Sequence, residues 1–132
     1  MNYIIHKRFR QKAICGEVNL PATTECVSNG NFIYYNGKPI CVTTSENAHQ
    51  YFARNDDGQG LLRGKLTQKI QAVLAKPDNQ HQARWDKVWD DDKCQPYRRA
   101  EYEDYWLWND KFFNAPIDDL QHILTLIGGK LK

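Results

Sequence analysis

Apolar and polar residues keep one rhythm up to about residue 44 of this chain and another after it. In the first stretch Tyr3, Ile5 and Phe9 alternate with Ile4, His6 and Arg8. A period of two marks a half-buried strand. A second strand is expected over Ala13–Val18, ending by Pro21. Two Asn-Gly pairs follow. Asn29-Gly30 separates Glu25–Val27 from Phe32–Tyr35, and Asn36-Gly37 separates Phe32–Tyr35 from Pro39–Val42. Asn-Gly is the strongest short hairpin signal, because a type I′ turn needs positive φ at both central residues. The pattern predicts about five short antiparallel strands in a small, bent sheet or partial barrel. Pro39 belongs on an edge or at a strand start, since it has no N–H for the ladder.

After residue 44 the period lengthens to 3.6. Thr44 or Ser45 is placed to cap a short helix on which Ala48 and Phe52 share a face. Leu62, Leu66, Ile70, Val73 and Leu74 predict a longer helix that Pro77 ends. Trp85, Val88 and Trp89 predict a third, broken by Pro96. A fourth is expected from about Arg98 to Asn114, its face lined by Tyr102, Tyr105, Trp106, Phe112 and Phe113, with Trp108 off the centre of the stripe. Pro116 opens a fifth, with Asp118 and Asp119 at its positive end and Gly128-Gly129 as its stop. The fold class is therefore α+β, about five strands packed with four to five helices. Residues 1–44 are mainly β and 45–132 mainly α. Neither set is large enough to bury its own face, which predicts a single domain, 1–132, with one shared core.

Composition agrees with a globular chain: of 132 residues, 41% are hydrophobic and 26% charged. The longest apolar run is far short of the ~20 residues a bilayer crossing needs. The opening Met1-Asn2-Tyr3-Ile4-Ile5-His6 puts apolar residues before basic ones, the reverse of an export signal, so a cytoplasmic location is expected. Net charge is +2, too small by itself to argue for nucleic-acid binding, but it is unevenly spread. Residues 1–76 carry ten Lys and Arg against five Asp and Glu, and residues 77–132 carry eight against eleven. Such an asymmetry steers a charged partner or simply solvates two faces.

Cys15, Cys26, Cys41 and Cys94 are expected to stay reduced. The first three sit among apolar residues and read as core, while Cys94, beside Asp92 and Lys93, reads as more exposed. The gaps between cysteines are ten, fourteen and fifty-two residues, so the close ligand pairs of a zinc site are absent and no metal or other cofactor is expected. Cys41 with His49 makes a poor nucleophilic pair, because apolar neighbours hold a thiol protonated. No catalytic residue is assigned.

The densest polar segment runs from Glu46 to Gly60. Glu46, His49 and Arg54 have the types needed for acid, base and charge clamp, and Asp56 and Asp57 with Gly58 and Gly60 have those of a cation loop. The loop lacks the ligand spacing of an EF-hand and the Lys-Ser/Thr ending of a phosphate loop. Its bland reading is a helix cap followed by a solvated turn. On that composition, changing Asp56 and Asp57 together to Asn is expected to leave stability within about ±0.5 kcal/mol. A second candidate is Lys7-Arg8-Phe9-Arg10-Gln11-Lys12, basic with an aromatic inside it, of the kind that meets phosphates. A basic strand is more often a charged edge that discourages aggregation. The tryptophan-rich helix is a third, better explained as core.

Met1-Asn2-Tyr3-Ile4-Ile5-His6-Lys7-Arg8-Phe9, Ser45 to Gly60, Arg63-Gly64-Lys65-Leu66-Thr67, Ala83-Arg84-Trp85-Asp86-Lys87 and Tyr102-Glu103-Asp104-Tyr105-Trp106-Leu107-Trp108-Asn109 resemble a family of small proteins of temperate phages and prophages of low-GC Gram-positive bacteria. The resemblance covers nearly the whole chain and brings no assigned activity. It implies a phage accessory protein acting in the cytoplasm of the infected host. Two classes of function follow. One is non-catalytic binding of a host protein or nucleic acid. The other is a small enzyme or nucleotide-binding protein using Glu46, His49, Arg54, Asp56 and Asp57.

Overall fold

The computed structural model describes residues 1–13, 15–98 and 108–131. The fold is α+β, with a five-stranded antiparallel sheet in the N-terminal part and several helices after it. The sheet is open, not closed into a barrel. The chain divides into two compact units, Met1–Gly64 and Lys65–Lys132.

In the first unit the strands are β1 (Asn2–Ile5), β2 (Phe9–Ala13), β3 (Gly16–Leu20), β4 (Glu25–Ser28), β5 (Phe32–Tyr35), β6 (Lys38–Val42) and β7 (Phe52–Arg54). The five-stranded sheet has the order β6-β5-β4-β1-β7, and β2 and β3 form a separate two-stranded ribbon. Asn36 and Gly37 turn β5 into β6 with φ of 50° and 75°, as a type I′ turn requires. The other pair works differently. Asn29 Oδ1 accepts from the N–H groups of Asn31 and Phe32, both at 2.9 Å, and so closes a longer turn between β4 and β5. Pro39 lies on β6, an edge strand, where its missing N–H costs nothing.

Tyr3, Ile5, Phe9, Cys26, Ile33, Ile40, Cys41, Ala48 and Phe52 form one buried apolar cluster. Ser45 caps α1 (Glu46–Tyr51) by accepting from the Ala48 N–H at 3.2 Å. Phe52, expected on the helix face, instead begins β7, an edge strand paired with β1. An apolar residue buries equally well on either element. The hydrogen-bonding row left open by β1 decides which, and that row is invisible in a local pattern.

The expected strand over Ala13–Val18 is two strands. β2 ends at Ala13 and β3 begins at Gly16, whose φ of 116° is open to glycine but not to a side chain. Cys15 lies between them and is exposed, not part of the core.

A continuous helix, α2 (Gly60–Leu74), begins in the first unit and ends in the second. The second unit also holds α3 (His81–Asp90), a 3₁₀ turn at Asp92–Tyr97, α4 (Asp110–Phe113) and α5 (Ile117–Leu126). Leu66, Ile70, Val73, Leu74, Val88, Phe112, Leu120, Ile123, Leu124 and Ile127 are buried. The α3 stripe is narrower than its sequence suggests. Val88 is buried, whereas Trp89 is 41% exposed and stacks under the Arg98 guanidinium, 4.5 Å from the ring centre. Cys94, expected to be more exposed, is fully buried inside the 3₁₀ turn.

The single helix expected from Arg98 to Asn114 is not formed across its whole length. Arg98 and Trp108 face one another as an antiparallel bridge, whereas ten residues of helix would separate them by about 15 Å. Asn109 explains the break. Its Nδ2 donates to the carbonyls of Pro96 and Arg98, and its Oδ1 caps α4 at the Lys111 N–H. The expected helical positions Tyr102, Tyr105 and Trp106 lie outside the described residues. Phe112 is buried and stacks on Trp108 with ring centres 4.1 Å apart. Among the described residues no helix is long and apolar enough to cross a membrane.

Candidate functional site

The segment from Glu46 to Gly60 folds as a joint between β7 and α2. Glu46 is exposed in the first turn of α1, and His49 is half-buried in its last. Arg54, at the end of β7, binds Asp56 through Nε at 3.0 Å and Nη2 at 2.6 Å. Asp56 Oδ1 also accepts from the Asn2 N–H at 2.7 Å, tying the loop to the end of β1. Asp57 receives Arg63 of α2 at 2.5 Å and the Gln59 N–H at 2.9 Å. Asn55 Oδ1 accepts from the Gly60 N–H at 2.8 Å and so starts the helix.

These partners set the charges. The backbone bond from Asn2, followed by Arg54, holds the Asp56 carboxyl below its ordinary range. The Arg63 bond, followed by that of Gln59, holds Asp57 at about 2. Arg63 is 3% exposed and also donates to the Arg54 carbonyl. Both acids therefore have a structural account that their composition did not suggest. Arg63 is the residue that sequence reasoning missed, because its carboxylate lies six positions away across a turn.

The joint is also sterically tight. A Cβ on Gly60 would stand 2.4 Å from Ile4 Cγ2, and one on Gly64 would stand 2.4 Å from His6 Cγ. The His6 ring is pressed against α2, and burial, followed by the charge of Lys7, lowers its pKa to about 4. Among the described residues its Nε2 has no hydrogen-bond partner.

The β2–β3 ribbon has the opposite character. On β2, Phe9 is 1% exposed and meets the rings of Tyr51 and Phe52 edge-on, at 5.4 and 5.0 Å. Gln11, on the same face, donates to the Tyr51 hydroxyl at 2.9 Å. Alternation then turns Arg10 and Lys12 outward, and both are exposed, as is Arg8 just before the strand. Across the ribbon Arg10 pairs with Asn19 and Lys12 with Glu17, while Val18 and Leu20 pack against the core. Arg8 Nη1 donates to Asn19 Oδ1 at 2.8 Å. Among the described residues no carboxylate forms an ion pair with Arg10 or Lys12. Lys7, at the root of the ribbon, lies 4.9 Å from the centre of the Tyr51 ring. The basic stretch was visible in sequence, and the period of two held the signal that its charges share a face. Asn19 carried no such signal, since only strand pairing brings it beside Arg10.

The second unit has a polar cluster of its own. His122 Nε2 lies 3.1 Å from Asp91 Oδ2, which also accepts from the Cys94 N–H. Tyr97 donates to Asp119. Burial, with Asp91 beside it, pushes the Cys94 thiol up to about 12, so it is no thiolate at neutral pH. Cys41 is likewise raised by burial, with Ser45 Oγ at 3.3 Å. Among the described residues no three His, Cys, Asp or Glu side chains group closely enough to hold a metal ion. No family model, curated protein or solved structure matches the chain.

Proposed function

We propose that this protein is a non-catalytic binder of nucleic acid, and that the basic face of the β2–β3 ribbon is its binding surface. The resemblance to phage and prophage proteins supports reading that activity as an accessory to infection, in the cytoplasm of an infected host. One observation carries the reading: Arg10 and Lys12 alternate along β2, Arg8, just before the strand, reaches Asn19 beside Arg10, and all three are exposed. Phosphates attract such charges when they share a face, and each phosphate neutralised releases a counterion. Among the paired positions of the ribbon, Glu17, opposite Lys12, is the one acid. By contrast, Arg54, Asp56 and Asp57, which an enzyme or nucleotide site in the Glu46–Gly60 segment would need, are engaged in holding the joint together.

The test is fluorescence anisotropy with labelled mixed-sequence DNA and RNA at 50 and 200 mM salt. Wild-type protein is expected to bind at the lower salt and to weaken steeply at the higher. A triple change of Arg8, Arg10 and Lys12 to Gln should abolish binding while the circular dichroism spectrum stays that of the wild type. Absence of binding to any nucleic acid at 50 mM salt, or binding that the triple variant retains, would overturn the reading.

A further inference from the structure

Resting on that reading, we infer that the ribbon enters the major groove of B-form duplex DNA, with Arg10 and Asn19 facing the base edges and Arg8 and Lys12 holding the backbone. The B-form major groove is wide enough for a two-stranded ribbon, and this ribbon has five paired positions on two strands. Alternate residues of a strand stand about 6.8 Å apart, the length of two base-pair steps of about 3.4 Å. Arg10 and Lys12, alternate residues of β2, therefore stay in step with the duplex over two base-pair steps. A lone basic loop has no such match.

The two central residues have the chemistry of base recognition. Arg10 and Asn19 are direct partners across the ribbon. Arginine donates to guanine O6 and N7, and asparagine exchanges two bonds with adenine N6 and N7. The Arg8 bond to Asn19 Oδ1 fixes which way the amide points, because a guanidinium only donates. It leaves Nδ2 free to donate and one lone pair of Oδ1 free to accept, the set adenine needs. Glu17, opposite Lys12, repels phosphate and accepts from a cytosine amino group, so it limits the ribbon to one orientation in the groove.

Two other nucleic acids fit less well. Single strands are held by bases stacked on exposed aromatics, and the outward face of this ribbon carries none: Phe9 is turned inward. Duplex RNA has a deep, narrow major groove that side chains do not read.

The experiment compares one 20-base-pair DNA duplex, the same duplex with 7-deazapurines in place of guanine and adenine, the RNA duplex of that sequence, and one DNA strand alone. The expected order is plain DNA duplex tightest, with RNA duplex and single strand at least tenfold weaker. The deazapurine duplex should be at least fivefold weaker, since it lacks the N7 acceptors. Log affinity should fall with log salt at a slope of about −2, as two phosphate contacts predict. Asn19→Ala should erase preference among sequences recovered from a randomised duplex library and leave that slope unchanged. Equal binding to RNA or single strands, or indifference to deazapurines, would overturn the groove assignment while leaving nucleic-acid binding intact. No binding to any of the four would overturn both.

Discussion

Two sets of charges lie within the first 64 residues, and they are built in opposite ways. At the joint between β7 and α2, each arginine has its carboxylate: Arg54 with Asp56, Arg63 with Asp57. On the ribbon, Arg10 and Lys12 face solvent, and among the described residues neither forms an ion pair with Glu17 across from Lys12. Composition alone favoured the first region as a site, because it mixes acids, bases and glycines. Geometry favours the second. A charge whose hydrogen bonds are already made inside the protein has little left to offer a ligand, whereas a charge held outward by a buried neighbour is available.

The largest effect expected is from Arg63→Ala. It removes the guanidinium that joins Asp57 to the Arg54 carbonyl and leaves a gap at a buried site, costing about 2–4 kcal/mol in urea unfolding. A cost within the range of surface substitutions would break the contrast, by showing the joint to be as dispensable as an exposed loop.

Gly64→Ala comes next. Alanine normally gains about 1 kcal/mol over glycine inside a helix. Here its Cβ would meet the His6 ring at 2.4 Å, so the net expectation is a loss of about 1–2 kcal/mol. A rise in melting temperature would show that the ring moves freely and that the joint is loose.

The acids of the joint sharpen the comparison through pH. Asp57 titrates at about 2 when folded, against an ordinary value near 4, so its contribution is fully present above about pH 4. It is lost as pH falls toward 2, because the unfolded chain takes up the proton first. Wild-type stability should drop across that window by about 1 kcal/mol more than that of Asp57→Asn, since solvent screens this half-exposed carboxylate. Equal slopes for the two proteins would remove Asp57 from the joint's support.

The smallest expected effect on stability belongs to the ribbon. Changing Arg8, Arg10 and Lys12 together to Gln should move unfolding free energy by no more than about 0.5 kcal/mol, in a urea titration. A larger loss would mean that these side chains hold the fold, and the two regions would then differ less than their geometry suggests.

Patterns local to a few residues were legible without coordinates. The period of two before residue 44, the Asn36-Gly37 turn, the Ser45 cap, the α2 face and the start of α5 at Ile117, one position after the expected Pro116, are each dictated by neighbours within about four positions. So was the α+β class, since a change of period is a change of element. Tertiary structure decided what depends on partners far along the chain. It turned Phe52 from a helix face into an edge strand, exposed Cys15, buried Cys94 and set Trp108 opposite Arg98. It also divided the charges into paired and available. Asp57 meets Arg63 across a turn, and Asn19 reaches Arg10 only through strand pairing. Spacing along one element encodes a shared face, but no local spacing encodes which face will be covered.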